Sequence, residues 1–228
     1  MSDPAIPSGP AASTEPAEAA LVDLLGLVAY GQLLAFDRMA ADARLAPDLR
    51  RRAVLSEMAA AKIINYRRLA DRLADLGVEP AAAMNPYRTA LQRYHDSTEP
   101  KDWLEALAKA HVGDAIADDF FREIAALLGE PDRQLVLEVL HDPRYDEFAA
   151  EEIRSAITAD PKVANRLSMW ARRLVGEGLS QANRVAADRP ALGLLVVERT
   201  GDENAVPALF KRLISAHTAR MSAVGLNN

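Results

Sequence analysis

The chain predicts an all-α fold: a bundle of four long helices, a long crossover between the second and the third, and additional helices at the C-terminal end. Three observations carry this expectation. Half of the 228 residues are hydrophobic but only 5% are aromatic, and the abundance of Ala and Leu favours helix over sheet. Apolar residues recur at three- and four-residue spacing over long stretches, the signature of one buried helix face. No segment alternates with period two for long enough to make a sheet strand.

Residues 1–16 (MSDPAIPSGPAASTEP) have the composition of a disordered tail, which leaves 17–228 as one bundle domain. The first helix is expected from about Ala17 to Ala43, with Leu21, Leu25, Val28, Gln32, Phe36 and Met39 on its stripe. After a turn at Pro47, Asp48 starts a second helix that reaches Leu76 before Gly77 stops it. Residues 78–99, bracketed by Pro80, Pro86 and Pro100, suit the long crossover that some bundles use. The third helix is expected over Asp102–Leu128, with the stripe Leu107, His111, Asp114, Asp118 (or Ala117), Phe121 and Leu128. A fourth begins near Pro131 and is interrupted at Asp142-Pro143, where an Asp cap before Pro restarts a segment running to Ala159. Asp160-Pro161 repeats that signal for a fifth helix, closed by Pro190. The apolar run Leu192–Val197 is too short to type, and Val206–Val224 reads as a last helix.

A net charge of −6 and a pI near 5.3 give no global attraction to nucleic acid or to an anionic membrane. There are no cysteines, so disulfides and thiolate ligands are excluded. Met1–Pro16 has neither the basic residues nor the apolar core of a signal peptide, and no later stretch reaches ~18 uninterrupted apolar residues. These features lead us to expect a soluble, cytoplasmic protein without a membrane partner.

Lys62 and Asn65 are the most telling positions, because they interrupt the apolar stripe between Leu55/Met58 and Leu69/Leu76. In bundles that hold two metal ions, two helices give one Glu each and the others give Glu-x-x-His, all projecting inward. The corresponding positions here are Gln32, Lys62, Asn65, Asp114, Asp142 and Tyr145. They offer two carboxylates, no imidazole and one ammonium group, a poor set for a hard divalent cation. Each also has a structural reading: Gln32 hydrogen-bonded in the core, Lys62 with its head in water, Asp142 as a helix cap. If Lys62 is buried, Asp114 is its natural partner. His111, one turn before Asp114, is an accessory candidate, whereas Glu138-x-x-His141 stands alone at a helix end. His95 and His217 take surface or capping roles by default. The arginine clusters Arg50–Arg52, Arg172/Arg173 and Lys211/Arg212 read as solvated faces, and no phosphate-binding loop or nucleophile motif occurs.

Several segments carry a resemblance. Tyr30-Gly31 with Leu33–Arg38, Glu57–Ala61, Val112-Gly113-Asp114, Asp119-Phe120, Trp170–Glu177 and Ala216–Met221 resemble actinobacterial ferritin-like proteins similar to the tRNA-modifying di-iron hydroxylase MiaE. The likeness runs from about Leu21 to the C-terminus. It implies a ferritin-like fold and descent from an oxidoreductase with two iron ions. It also implies Glu at position 32, Glu-x-x-His at 62 and 65 and His at 145, with Asp114 and Asp142 matching acidic positions. The four departures (Gln32, Lys62, Asn65, Tyr145) all reduce metal affinity. The expectation is therefore a non-catalytic binding or scaffolding protein with no cofactor, acting on a protein partner as a homodimer through its C-terminal helices. The alternative is a di-iron hydroxylase acting on tRNA.

Overall fold

The structure, a computed structural model, describes residues 14–140, 143–202 and 204–227. Helices α1 (Thr14–Asp42) and α2 (Leu49–Asp75) pack against each other along their lengths. Their turn is fixed by Asp48, whose carboxylate accepts from the Arg51 backbone N–H at 2.8 Å and so satisfies one free donor of the first turn. Gly77, at φ 74°, ends α2 in the left-handed region that a side chain would resist. The start of α1 at Thr14 makes the last residues of the expected tail helical; residues 1–13 lie outside the described residues.

The crossover expected over 78–99 is itself helical. It consists of α3 (Pro80–Met84), a 3₁₀ turn over Asn85–Tyr87 and α4 (Arg88–Ser97). Pro80 is tolerated because it occupies the first turn of α3, where Glu79 caps the Ala82 N–H at 2.7 Å. The expected third helix is interrupted: α5 (Trp103–Ala108) and α6 (Ala115–Ala125) are joined by a π-helical segment, Lys109–Asp114. Then follow α7 (Asp132–Leu140) and α8 (Pro143–Ala159); the interruption expected at Asp142-Pro143 falls on residues 141–142, which lie outside the described residues. Helix α9 (Lys162–Asp188) is next, and the untyped apolar run proves to be α10 (Ala191–Thr200), followed by α11 (Ala205–Ala223). No strand occurs among the described residues.

Helix α9 packs on α4, α5 and the π segment, α10 on α1, and α11 on α6 and α10. The C-terminal helices thus cover the bundle. At one point the backbones of α1 and α3 touch, since a Cβ on Gly26 would stand 2.4 Å from the Ala83 carbonyl oxygen. The span Glu18–Leu45 has a mean hydropathy of 1.8, enough by length and composition to cross a membrane. Over half of that stretch is buried inside the bundle, and it buries Asp23 and Gln32 as well, which makes it a core helix.

The apolar core divides in two. One cluster gathers Leu24, Val28, Leu69, Leu73, Ile124 and Val136, the other Met39, Leu55, Met58, Leu107, Ile153 and Leu174. Full burial of such a side chain contributes about 1.5–3 kcal/mol. On α1 the clusters meet between Ala29 and Met39, on α2 between Ala59 and Leu69, and on the third helix between Val112 and Phe121. Gln32, Lys62, Asn65, Asp114 and Asp118 all fall in those gaps, so the bundle has a polar layer between two apolar halves.

Candidate functional site

A partly open cavity of about 550 Å³ lies against this layer, walled by α1, α2, α4, the π segment, α6 and α8 to α11. Most of its wall is apolar, with Leu27, Phe120, Leu179, Val185, Phe210 and Leu213 among the contributors. Such a volume is within the usual range of small-molecule sites.

The charged groups at its centre are set by the π segment. Lys109 and Asp114, at its two ends, both face the cavity. Lys109 is 3% exposed, and its Nζ donates to the Thr98 carbonyl at 2.9 Å and lies 5.3 Å from the centre of the Tyr94 ring. Burial pushes its ammonium group below the ordinary lysine range, while Asp114 and then Asp42 act to keep it charged. Asp114 accepts from Tyr94 Oη at 3.2 Å. Burial raises its carboxyl above the usual range, opposed first by Lys109, then by the Tyr94 hydrogen bond and by Lys62. Burial lifts Asp42 and Asp118 to about 6; Lys109 is the main opposing charge for the first and Lys62 for the second. Burial, with Lys109 and Arg38, lowers His95 to about 3, so its ring is neutral.

Of the six template positions, Gln32, Lys62, Asp114 and Tyr145 line the cavity together. Gln32 is buried, and Asn65 reaches its Oε1 at 3.5 Å while donating to the Val139 carbonyl at 3.0 Å. The Asn65 amide is thus held by α7. Tyr145 is buried. Asp142 and His141 lie outside the described residues. The pairing expected between Lys62 and Asp114 is not direct: among the described residues Lys62 has no ion pair within 4.0 Å, and Lys109 is the stronger cation for Asp114. His111 is not part of the cavity wall; its Nδ1 stands 3.6 Å from Asp146 Oδ1, beyond hydrogen-bond length. His95 and His217, expected in surface or capping roles, are both buried and both line the cavity.

Residues 16–199 match the family model described as a ferritin-like domain of actinomycetes. The chain belongs to this family. A search of curated proteins returns no match. Ferritin-like bundles of the carboxylate type hold two metal ions, and the donors present here do not suit them. Among the described residues no three His, Asp or Glu side chains converge closely enough to hold an ion. Lys62 stands in the cavity wall, where its ammonium would repel a cation. The polar part of the cavity wall holds carboxylates and ammonium groups: Asp42, Lys62, Lys109, Asp114 and Asp118.

Lys109, Asp42, Tyr94, His217 and Arg220 have no counterpart in the template. Lys109 and Asp114 are five apart, which puts them on different faces of an α-helix; the i→i+5 turn of a π segment brings them to one side. A period of 3.6 residues cannot reveal that. A Cβ on Gly113 would lie 2.8 Å from Tyr94 Oη, so this glycine lets α4 approach the segment and deliver the tyrosine.

Proposed function

We propose that the chain is a non-catalytic ferritin-fold binding protein, grouped by its motifs with the MiaE-like proteins, that takes an organic molecule into its bundle. The observation that carries this reading is the cavity of about 550 Å³ set against a polar layer in which two ligand positions are Lys62 and the amide-bonded Asn65. A mostly apolar wall with a few convergent polar groups is the make-up of a small-molecule site. The charges of Asp42, Asp114 and Asp118 are met by Lys62 and Lys109, which gives the buried carboxylates a stable arrangement in the absence of ions. Hydroxylation of tRNA would need two irons and a cationic face, and the ligand set and the net charge of −6 both oppose it.

Thermal melts test this reading. An environment-sensitive apolar fluorophore should bind at about one per chain and raise the melting temperature by mass action, whereas ferrous or manganous ions under anaerobic conditions should leave it unchanged. A metal-dependent rise with no uptake of the fluorophore would replace this reading with that of a metalloenzyme.

A further inference from the structure

His217 and Arg220 stand one turn apart on α11 and both line the cavity. His217 is 2% exposed, and neither ring nitrogen makes a hydrogen bond; the Val112 carbonyl faces the ring without hydrogen-bond geometry. Burial and the neighbouring Arg220 charge lower its pKa, so the ring is neutral and has one donor and one acceptor nitrogen. Arg220 gives Nη2 to Asp119 Oδ2 at 2.5 Å and keeps Nη1 buried without a partner. Asp119 also serves Arg122 at 3.3 Å. Asp119 is thus shared by two guanidinium groups, on which Asp146 also acts. Asp118 faces Lys62 first and Arg122 second, and Asp146, largely exposed to water beside His111, also feels Arg220 and Arg122.

Buried donors without an acceptor are unfavourable by about 1–3 kcal/mol each and are rare in native proteins. Two of them on one turn of one helix, in side chains that line one cavity, mark the place of an acceptor-bearing head group. The same face of α11 lines the cavity through Leu213, Phe210 and Leu209 back to Val206, about 10 Å of apolar wall along the helix axis.

We propose that the cavity binds an aliphatic carboxylic acid, with its carboxylate on Arg220 Nη1 and His217 and its hydrocarbon chain along α11. This inference rests on the reading of the cavity as a ligand site. Titration calorimetry on the full chain with decanoate, decan-1-ol and decylamine tests it. Decanoate should bind at least about tenfold more tightly than decylamine, the value of one charge-assisted contact. Arg220→Gln should weaken decanoate at least about tenfold while changing the alcohol by no more than about twofold. Since that change also breaks the ion pair with Asp119, His217→Leu, which removes no hydrogen bond, provides a second variant with the same expected preference for affecting the acid. Equal binding of all three compounds, or variants without selective effect, would overturn the head-group assignment and leave the cavity reading intact. Binding of none of them would show that only water occupies the cavity, and would overturn both.

Discussion

Lys109 and Asp114 meet because the backbone between them is π-helical, and that local geometry decides which cation serves the buried carboxylate. Double-mutant cycles should therefore give a Lys109–Asp114 coupling of about 1–3 kcal/mol in chemical denaturation, and a Lys62–Asp114 coupling below about 0.5 kcal/mol. The reverse order would return the central role to Lys62. The raised carboxyls make a second prediction. Asp118 has a folded pKa of about 6 against an ordinary 3.8. The stability contribution of such a group is fully present below the unfolded value and is lost as pH rises through the folded one. At pH 7 the charged Asp118 therefore destabilises the fold, and Asp118→Asn should be more stable than the parent by about 1–2 kcal/mol. By pH 4 that gain should have faded. Comparing the two proteins at each pH cancels the opposite trend from His95, which stays neutral in the fold and loses stability as pH falls. A variant equally destabilised at both pH values would show that Asp118 is held by a favourable partner. At this scale the sequence marked Gln32, Lys62, Asn65 and Asp114 by their places on apolar stripes. It could not mark His217, whose burial depends on α11 folding back over α6.

The helices themselves were more legible than the contacts between them. Asp48 and Gly77 bound α2 as expected, because capping and left-handed turns are local chemistry. The helical crossover and the π segment were not legible, since both depend on neighbours: α3 needs a flat place on α1, and the π segment is packed by Tyr94 and Leu174. Two glycines test this dependence. Gly26→Ala would drive a methyl group to 2.4 Å from a backbone oxygen of α3, which cannot move alone, and should destabilise the protein by about 2–3 kcal/mol. Gly176→Ala has nothing within 4 Å on a helix interior and should stabilise it by about 0.5–1 kcal/mol. Thermal denaturation of the two variants should move the midpoint in opposite directions. A tolerated Gly26→Ala would mean that α3 is not seated on α1.

Over the whole molecule, a ferritin-like frame surrounds a mostly apolar cavity with a polar layer beside it, and we propose that charge pairs there stand where metal-binding bundles hold ions. Gln32, Lys62 and Tyr145 still face one cavity, so the geometry can be probed by restoring the chemistry. The combined variant Gln32→Glu, Lys62→Glu, Asn65→His and Tyr145→His should gain iron and a metal-dependent rise in melting temperature, while each single change should not. The central claim, that charge pairs have taken the place of metals in the native chain, is tested most directly by elemental analysis of the purified protein after expression with iron and manganese supplied. The account predicts well under one metal ion per chain. A content close to two irons per chain would contradict it.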